Sequence, residues 1–195
     1  MKGQAGAVKA VLFDMDGTIT RPTLDFAAIR GAIGVPENEA ILEHIAHLEG
    51  AAQVRAREIL DEFELDAARR SELNDGAREA MDFLRERGIP TGIITRNNPL
   101  SVRIVCRKHG LAFDVVVTPE DAEPKPSPEP VRLAARALGV EPETMLMVGD
   151  YLFDIQSGAA AGARTVLVTN GRRHDFEDEA DFVIESLTEL IDLVR

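Results

Sequence analysis

The segment VLFDMDGTIT, residues 11–20, places two carboxylates, Asp14 and Asp16, directly after an apolar run. Such a pair is either a solvated turn at the end of a strand or the binding place of a cation, because buried charge opposes folding unless it is compensated. Neighbouring carboxylates also repel each other and separate their pKa values unless a cation lies between them. A hard divalent ion with oxygen ligands, such as Mg²⁺, would meet both requirements.

Four other side chains could take part in the same chemistry. The segment VGDYLFD supplies Asp150 and Asp154 as further oxygen ligands. Lys125 would offset the charge of a bound anionic group, and Thr95 offers a hydroxyl beside main-chain N–H groups at a strand-to-helix junction. With the ion in place, one acid of the first pair can be a nucleophile while the other exchanges a proton. Together these groups describe phosphoryl transfer through an aspartyl-phosphate.

The pattern from residue 72 onward predicts the framework that would bring these groups together. Continuous apolar runs alternate there with segments of helical periodicity, which is typical of a parallel sheet covered on both faces. In such sheets ligands bind beyond the carboxyl ends of the strands. The predicted strands end at, or shortly before, Asp14, Thr95, Lys125 and Asp150. We therefore expect the strand ends to converge on one crevice.

Residues 21–72 interrupt this alternation, because three helical patterns follow one another there without a strand between them. We predict an α/β, Rossmann-like three-layer core with a parallel sheet, formed by residues 1–20 and 73–195. A small all-helical cap, residues 21–72, would be inserted after the first strand. Since the chain leaves and re-enters the core at a strand's carboxyl end, the cap would lie over the crevice.

Two helix starts carry capping signals. Ser127 precedes Pro128, which predicts a serine N-cap with proline at the first helical position. Ser186 and Glu189 have the spacing of a capping box ahead of the last apolar stripe. Both signals therefore predict where a helix of the core begins.

The composition limits the partners of the chain. Its net charge of −12 over 195 residues argues against a broad nucleic-acid or anionic-membrane surface, but not against a small anionic substrate. No apolar run approaches the roughly 20 residues of a membrane span, and the first residues are not a convincing signal peptide. One cysteine, Cys106, excludes an internal disulfide. We expect a cytoplasmic monomer or homodimer that binds a small phosphorylated metabolite.

In this order, and near the predicted strand ends, DMDGT, IIT, KPSPEP and GDYLFD resemble the motifs of the haloacid dehalogenase superfamily. The resemblance covers the whole chain. The helical insertion resembles the cap of the phosphoglycolate-phosphatase-like branch. This implies a Mg²⁺-dependent phosphatase whose cap closes to exclude water and to recognise the leaving group.

The resemblance also implies a role for each motif residue. Asp14 would attack phosphorus in line, and Asp16 would protonate the leaving group and then deprotonate the hydrolytic water. Thr95 and Lys125 would hold the phosphoryl oxygens. The implied Mg²⁺ ligands are Asp14, the main-chain carbonyl of Asp16, and Asp150, with support from Asp154.

A further set of residues is predicted to bind the substrate: Gly17, Thr18, Arg21, Arg96 and Asn97. Arg21 is included because it directly follows DGTIT and could reach an anionic leaving group. The second motif departs from the family pattern, which often has asparagine or serine directly after the first hydroxyl residue. Here Arg96 intervenes in TRNN, and whether Arg96 or Asn97 faces the substrate stays open.

Three alternatives remain beside the phosphatase. A phosphomutase of the same architecture is mildly disfavoured by Thr18, because mutases that resemble this motif often carry valine there. A non-catalytic phosphate-binding module would be indicated by the loss of an acid, and no acid is missing. A dehalogenase is disfavoured by Asp16, since dehalogenases that resemble this family lack an aspartate at that position.

Overall fold

A computed structural model describes residues 7–194, in which six strands form one parallel sheet. The strands lie in the order β3-β2-β1-β4-β5-β6. Their bounds are Ala10–Phe13 (β1), Thr91–Ile94 (β2), Val115–Val117 (β3), Met145–Gly149 (β4), Arg164–Val168 (β5) and Phe182–Ile184 (β6). The predicted parallel α/β fold is confirmed.

The centre of the sheet consists of β1, which pairs with β2 on one side and with β4 on the other. Every residue of β1, β2 and β4 is buried. Continuous apolar runs are required here because helices cover both faces of a parallel sheet. The residues that follow these three strands therefore emerge side by side at the carboxyl edge of the sheet.

Helices pack on both faces of the sheet and complete the three layers. One face is covered by α4, α5 and α8, which share a hydrophobic cluster with Phe13 and Val148, and the other by α6 and α7. The helix bounds are Ala77–Glu86 (α4), Pro99–His109 (α5), Glu129–Leu138 (α6), Leu152–Ala161 (α7) and Leu190–Val194 (α8). Short 3₁₀ turns lie at Pro142–Thr144, Glu177–Glu179 and Leu187–Glu189.

Both capping predictions are wrong in detail. Helix α6 begins at Glu129 with Pro128 at its N-cap, and the Ser127 hydroxyl accepts only a long hydrogen bond, 3.3 Å, from the Glu129 N–H. At the chain end, Glu189 accepts the N–H of Glu185 at 2.7 Å, and a 3₁₀ turn precedes a short α8. Helix α6, with Pro130 as its second residue, begins within one turn of its predicted start. Helix α8 also begins one turn or less from its predicted start, because a 3₁₀ turn occupies Leu187–Glu189.

Three helices follow one another between β1 and α4, as predicted for the insertion at residues 21–72. Their bounds are Phe26–Ile33 (α1), Ile41–His47 (α2) and Gly50–Arg70 (α3). They enclose a small hydrophobic cluster of their own, around Ile29 and Ile45. The chain leaves the core near Thr20 and returns to it near Leu73, and these two residues form an antiparallel bridge. The division into domains stays a prediction, and its residues 1–6 and 195 lie outside the described residues.

The longest helix of the described part, α3, has 21 residues and carries charged side chains along its length. Within residues 7–194 no helix has the length and apolar character needed to cross a membrane.

Candidate active site

The turn after β1 presents two acids to one cavity. The strand ends at Phe13, and Asp14 and Asp16 both lie in the turn that follows and in the wall of the cavity. The Asp14 N–H still bonds the carbonyl of Val148 at 2.8 Å, so the first acid stays attached to the sheet. The turn after β1 therefore brings both acids to the same cavity.

Gly17 and Thr18 hold a third acid in place. Gly17 has a φ of +95°, and a Cβ atom there would lie 2.1 Å from a carboxylate oxygen of Asp150. Only glycine permits both the left-handed backbone and this close approach. Thr18 is fully buried, and its hydroxyl donates to Asp150 Oδ1 at 3.4 Å. Both residues lie against Asp150, and neither of them lines the cavity.

Lys125 contacts two acids that follow different strands, Asp14 after β1 and Asp154 after β4. Its Nζ donates to Asp14 Oδ1 and to Asp154 Oδ1, each at 2.5 Å, and to the carbonyl of Ile94 at 2.7 Å. Asp154 is fixed in the first turn of α7, where its second oxygen accepts the N–H of Tyr151 at 3.0 Å. Although burial lowers the pKa of the Lys125 ammonium, the carboxyls of Asp14 and Asp154 outweigh this and raise it.

The side chains of Asp14, Asp150 and Asp154 form a candidate metal centre. Each offers one carboxylate oxygen, and these oxygens all lie within 4.8 Å of one another. Burial, followed by the repulsion of neighbouring acids, raises the pKa of Asp150 to about 8. Burial also raises the pKa of Asp14 to about 7, against the attraction of Lys125. When ionised, these three carboxyls carry more negative charge than the single ammonium of Lys125 can compensate. A hard divalent cation such as Mg²⁺ fits this set of oxygen donors.

Asp16 lies outside this carboxylate cluster and faces the segment that leads into the insertion. Its Oδ1 accepts the N–H of Thr23 at 3.3 Å and the Thr23 hydroxyl at 3.4 Å. Burial raises the pKa of Asp16 to about 6, although these hydrogen bonds and one from Leu24 oppose the rise. A carboxyl with a pKa near neutrality can both give and take a proton at physiological pH.

The second motif lies between β2 and α5. Thr95 is buried, and its hydroxyl accepts the N–H of Asn97 at 3.1 Å. Asn98 begins α5, because its side chain accepts the N–H of Ser101 at 2.8 Å. The wall of the cavity includes both Arg96 and Asn97 but not Thr95. The sequence leaves open whether Arg96 or Asn97 faces the substrate, and the structure places both of them in the wall of this cavity.

Arg96 also connects the core to the insertion. Its guanidinium makes two hydrogen bonds to the carboxylate of Glu43 in α2, at 2.9 and 2.6 Å. It also donates to the main-chain carbonyl of Lys125 and lies 5.1 Å from the ring centre of Phe153. Burial of Glu43 is outweighed by Arg96, so the pKa of Glu43 falls below its usual value. We call the Arg96–Glu43 pair the clasp.

The cavity above the acids has a volume of about 380 Å³. That size suits a small metabolite. The core contributes the acids Asp14, Asp16, Asp150 and Asp154, together with Lys125, Arg96, Asn97, Tyr151 and Phe153. The insertion contributes Leu24, Phe26, Arg30, Ala40, Ile41, Leu42, Leu60 and Glu64. The side of the cavity that the insertion forms is therefore mostly apolar, with Arg30 and Glu64 as its charged residue types.

Arg21 is not brought to this cavity. It forms an ion pair with Asp75 at 2.9 Å, and both side chains are more than half exposed. Its main-chain N–H bonds the carbonyl of Glu72, beside the point where the chain re-enters the core. The basic residue that the insertion places in the wall is Arg30, which donates to the carbonyls of Pro36 and Glu39.

Sequence reasoning missed Arg30, Glu43 and Glu64. A signal existed for the last, because Leu60, Glu64 and Ala67 follow one another at spacings of four and three along α3. These spacings place the three residues on one helix face, and all three are buried. A glutamate within the buried stripe of a helix indicates a polar contact that must be satisfied there.

Residues 8–162 match the sequence profile of the haloacid dehalogenase-like hydrolases. The chain belongs to this family. The resemblance that its four motifs carry is thereby confirmed, and so is the expectation of a hydrolase. The convergence of the motif acids at the carboxyl ends of β1 and β4 is the arrangement on which that resemblance depends.

Relatives of the chain carry phosphatase names. It is 32% identical to an N-acetylmuramic acid 6-phosphate phosphatase from Pseudomonas aeruginosa, covering 96% of this chain and 95% of the relative. It is 29% identical to a phosphoglycolate phosphatase from Chromobacterium violaceum, covering 96% and 97%. The crystal structure of a haloacid dehalogenase phosphatase from Thermococcus onnurineus matches with a TM-score of 0.70 and 27% identity, covering 96% and 98%.

Proposed function

We propose that the chain is a Mg²⁺-dependent phosphatase that hydrolyses a small phosphorylated metabolite through an aspartyl-phosphate on Asp14. The observation that supports this most directly is the position of Lys125 between Asp14 and Asp154, beside the carboxyl of Asp150 and below a cavity of about 380 Å³. The phosphatase names of two relatives point to the same activity.

The proposed first step transfers the phosphoryl group to Asp14. Lys125 holds one oxygen of Asp14, so the other is available to attack phosphorus. As that bond forms, the bond from phosphorus to the ester oxygen breaks, and Asp16 donates its proton to the departing oxygen. Lys125 and the main chain around Thr95 would bind the phosphoryl oxygens.

The second step regenerates the acids. Asp16, now ionised, takes a proton from a water molecule, whose oxygen attacks phosphorus while the bond to Asp14 breaks, and inorganic phosphate leaves. Asp14, Asp150 and the main-chain carbonyl of Asp16 would hold Mg²⁺, with Asp154 in support. When bound, the ion would neutralise the charge that the phosphoryl group adds to a cluster of acids.

Residues 21–72 would act as a cap that recognises the leaving group. Eight of their side chains line the cavity, and the clasp and the Thr23–Asp16 hydrogen bonds tie them to the core. A closed cap excludes water from the ester before Asp16 is ready to activate it. The cytoplasmic location and the monomeric or homodimeric state stay predictions from the sequence.

The test is phosphate release from a panel of esters, with and without Mg²⁺. The panel contains phosphoglycolate, N-acetylmuramic acid 6-phosphate, other sugar phosphates, nucleotides and an aryl phosphate. We expect release that EDTA abolishes and Mg²⁺ restores. Chelator-resistant hydrolysis would contradict the metal assignment. Isomerisation of a hexose phosphate without net release would indicate the phosphomutase, and binding without any turnover would indicate the phosphate-binding module.

A further inference from the structure

Glu64 is a buried acid that the proposed chemistry does not use. It lies in α3 of the insertion, its side chain is 3% exposed, and it forms part of the cavity wall. Its Oε2 accepts the main-chain N–H of Asn98 at 2.7 Å, so its closest partner is a neutral group of the core. Glutamate is among the residues least often fully buried without a charged partner.

The hydrogen-bonding capacity of Glu64 exceeds what the core supplies. A carboxyl group has two oxygens and about four acceptor sites, and the N–H of Asn98 occupies a site on one oxygen. The neighbouring wall is largely apolar, with Leu24, Leu60 and Phe153 as examples. A buried carboxyl costs more than an apolar residue of similar size would. The group therefore needs a further polar partner, which the cavity contents can supply.

We propose that Glu64 binds a hydroxyl group of the leaving group, so that the substrate is the phosphate ester of a polyol or sugar. A hydroxyl can donate to an ionised carboxyl and accept from a protonated one, so it suits Glu64 in either state. A leaving group that ends in a carboxylate would instead bring an ionised group into this largely apolar wall, which costs more than burying a hydroxyl. The inference rests on the proposed function in one respect only, namely that this cavity receives the ester.

The surroundings of Glu64 favour its protonated form. Burial raises its pKa to about 8, with Asp61 adding to the rise, while the hydrogen bonds from Asn98 and the charge of Arg57 oppose it. The nearer part of the same wall also carries Arg30 from α1 and Arg96, which Glu43 of α2 neutralises. The other charged groups of the wall belong to the core: Asp14, Asp16, Lys125, Asp150 and Asp154. A neutral carboxyl at pH 7 can donate a hydrogen bond to a hydroxyl oxygen in this apolar setting.

Binding of non-hydrolysed esters tests the proposal without depending on catalysis. Dissociation constants are measured by calorimetry for glucose 6-phosphate and phenyl phosphate, with Mg²⁺ present, on the Asp14→Asn protein. Adding Glu64→Leu should weaken binding of glucose 6-phosphate about tenfold relative to phenyl phosphate, the effect of one lost hydrogen bond that leaves its partner unsatisfied. Adding Glu64→Gln, which keeps a donor and an acceptor, should change the ratio less than about twofold.

Two further comparisons keep the result interpretable. Glu62→Gln, on an exposed face of the same helix, is the matched control and should leave both constants unchanged. Without any change at Glu64, glycerol 3-phosphate should bind more tightly than phosphoglycolate, and this needs no cap variant to fold.

Three results would overturn the proposal: equal weakening of both esters by Glu64→Leu, no preference for glucose 6-phosphate over phenyl phosphate, or tighter binding of phosphoglycolate. Equal weakening would mean that Glu64 only holds the Asn97–Asn98 segment. Failure of the unsubstituted chain to release phosphate would instead contradict the proposed function, and it would leave these binding constants unaffected.

Discussion

Lys125 contacts two carboxyls at once, and its position determines which oxygens of the site stay available. It binds Oδ1 of Asp14 and Oδ1 of Asp154, while the backbone of Tyr151 takes the other oxygen of Asp154. In the proposed mechanism, the second oxygen of Asp14, which has no bond from Lys125, would be the one that attacks phosphorus. These side-chain contacts determine which oxygen of Asp14 has no bond from Lys125, and the spacing of the motifs does not.

Replacing Asp14 by Asn tests the nucleophile. The amide keeps the shape of the side chain but lacks the charge that attacks phosphorus, so we expect kcat to fall by about 10³-fold or more while thermal unfolding stays cooperative. Phosphate release and circular dichroism measure the two properties. Asp178→Asn, at an exposed acid, is the control and should be as active as the unsubstituted chain. Activity of Asp14→Asn near that level would remove Asp14 from its role.

Replacing Asp16 by Asn tests the proton transfer. Because its pKa is raised to about 6, Asp16 is protonated below that pH and can protonate a leaving group there. For an alkyl ester at saturating Mg²⁺, which would keep Asp14 ionised, kcat/KM should fall as the pH rises above about 6. Asp16→Asn should lower it about 10²- to 10⁴-fold and remove this fall. An aryl ester, which needs less protonation, should be affected less. An unchanged rate with the alkyl ester would refute the assignment.

The convergence of the motif acids was predictable, whereas the residues that the insertion adds to the cavity were not. Asp14 and Asp150 follow β1 and β4, which are neighbours in the parallel sheet, so the ends of these strands lie together. Arg21 was predicted to reach the substrate from its sequence position alone, yet its side chain pairs with Asp75 outside the cavity. The direction of a side chain in an irregular segment depends on contacts that no local pattern encodes.

At the scale of elements, the insertion and the core meet through polar contacts between specific segments. Glu43 of α2 bonds Arg96, Glu64 of α3 bonds Asn98, and the Thr23 segment bonds Asp16. All three core partners belong to the first two motif segments. The position of the insertion is therefore coupled to the loops that carry the first two motifs.

Glu43→Gln tests whether the clasp keeps the insertion closed. Loss of the charge weakens a half-buried, two-pronged ion pair. If the closed form is the one that binds substrate, a smaller closed fraction raises KM in proportion, and we expect about a tenfold increase with a smaller change in kcat. Steady-state kinetics at low and high salt measure it.

The control for the clasp is Glu58→Gln, which removes an exposed pair with Arg55 on the same insertion. Exposed pairs of this kind contribute little, so KM should stay the same. Equal KM values for Glu43→Gln and the unsubstituted chain would show that the clasp does not control closure.

The elements themselves were predicted well because their periodicity is strong. Apolar runs such as the one in β4 cannot be placed at the surface, and α4 and α6 carry well-defined apolar faces. The starts of α6 and α8 were misplaced, since a cap depends on one or two hydrogen bonds that compete with nearby alternatives. How the three insertion helices pack over the sheet was not predictable, because amphipathic faces do not specify their partners.

For the molecule as a whole, the buried acids make stability depend on pH. The pKa values of Asp14, Asp150 and Glu64 are raised to about 7, 8 and 8. The native state therefore holds protons that the unfolded chain releases between about pH 4 and those values. Linkage then requires that stability falls as the pH rises through this window.

Thermal unfolding of the metal-free protein measures this dependence. We expect a lower Tm at pH 8 than at pH 6, because over most of this interval the native state still holds protons that the unfolded chain has already released. Mg²⁺ should raise Tm more at pH 8 than at pH 6, since it binds the ionised carboxyls and stabilises the state that holds it. A Tm that rises with pH in EDTA would contradict the raised pKa values. Glu64→Gln should flatten the pH dependence in part.

The central position of β1 has a consequence for synthesis on the ribosome. This strand is synthesised before both of its sheet partners, which lie at residues 91–94 and 145–149. At the usual rate of translation, β4 follows β1 by on the order of ten seconds. During that interval an apolar strand waits without one of its neighbours, while the insertion, with a hydrophobic cluster of its own, is already complete. Protease should therefore cleave near β1 in nascent chains that stop before residue 145, and protection of such chains would contradict this order of assembly.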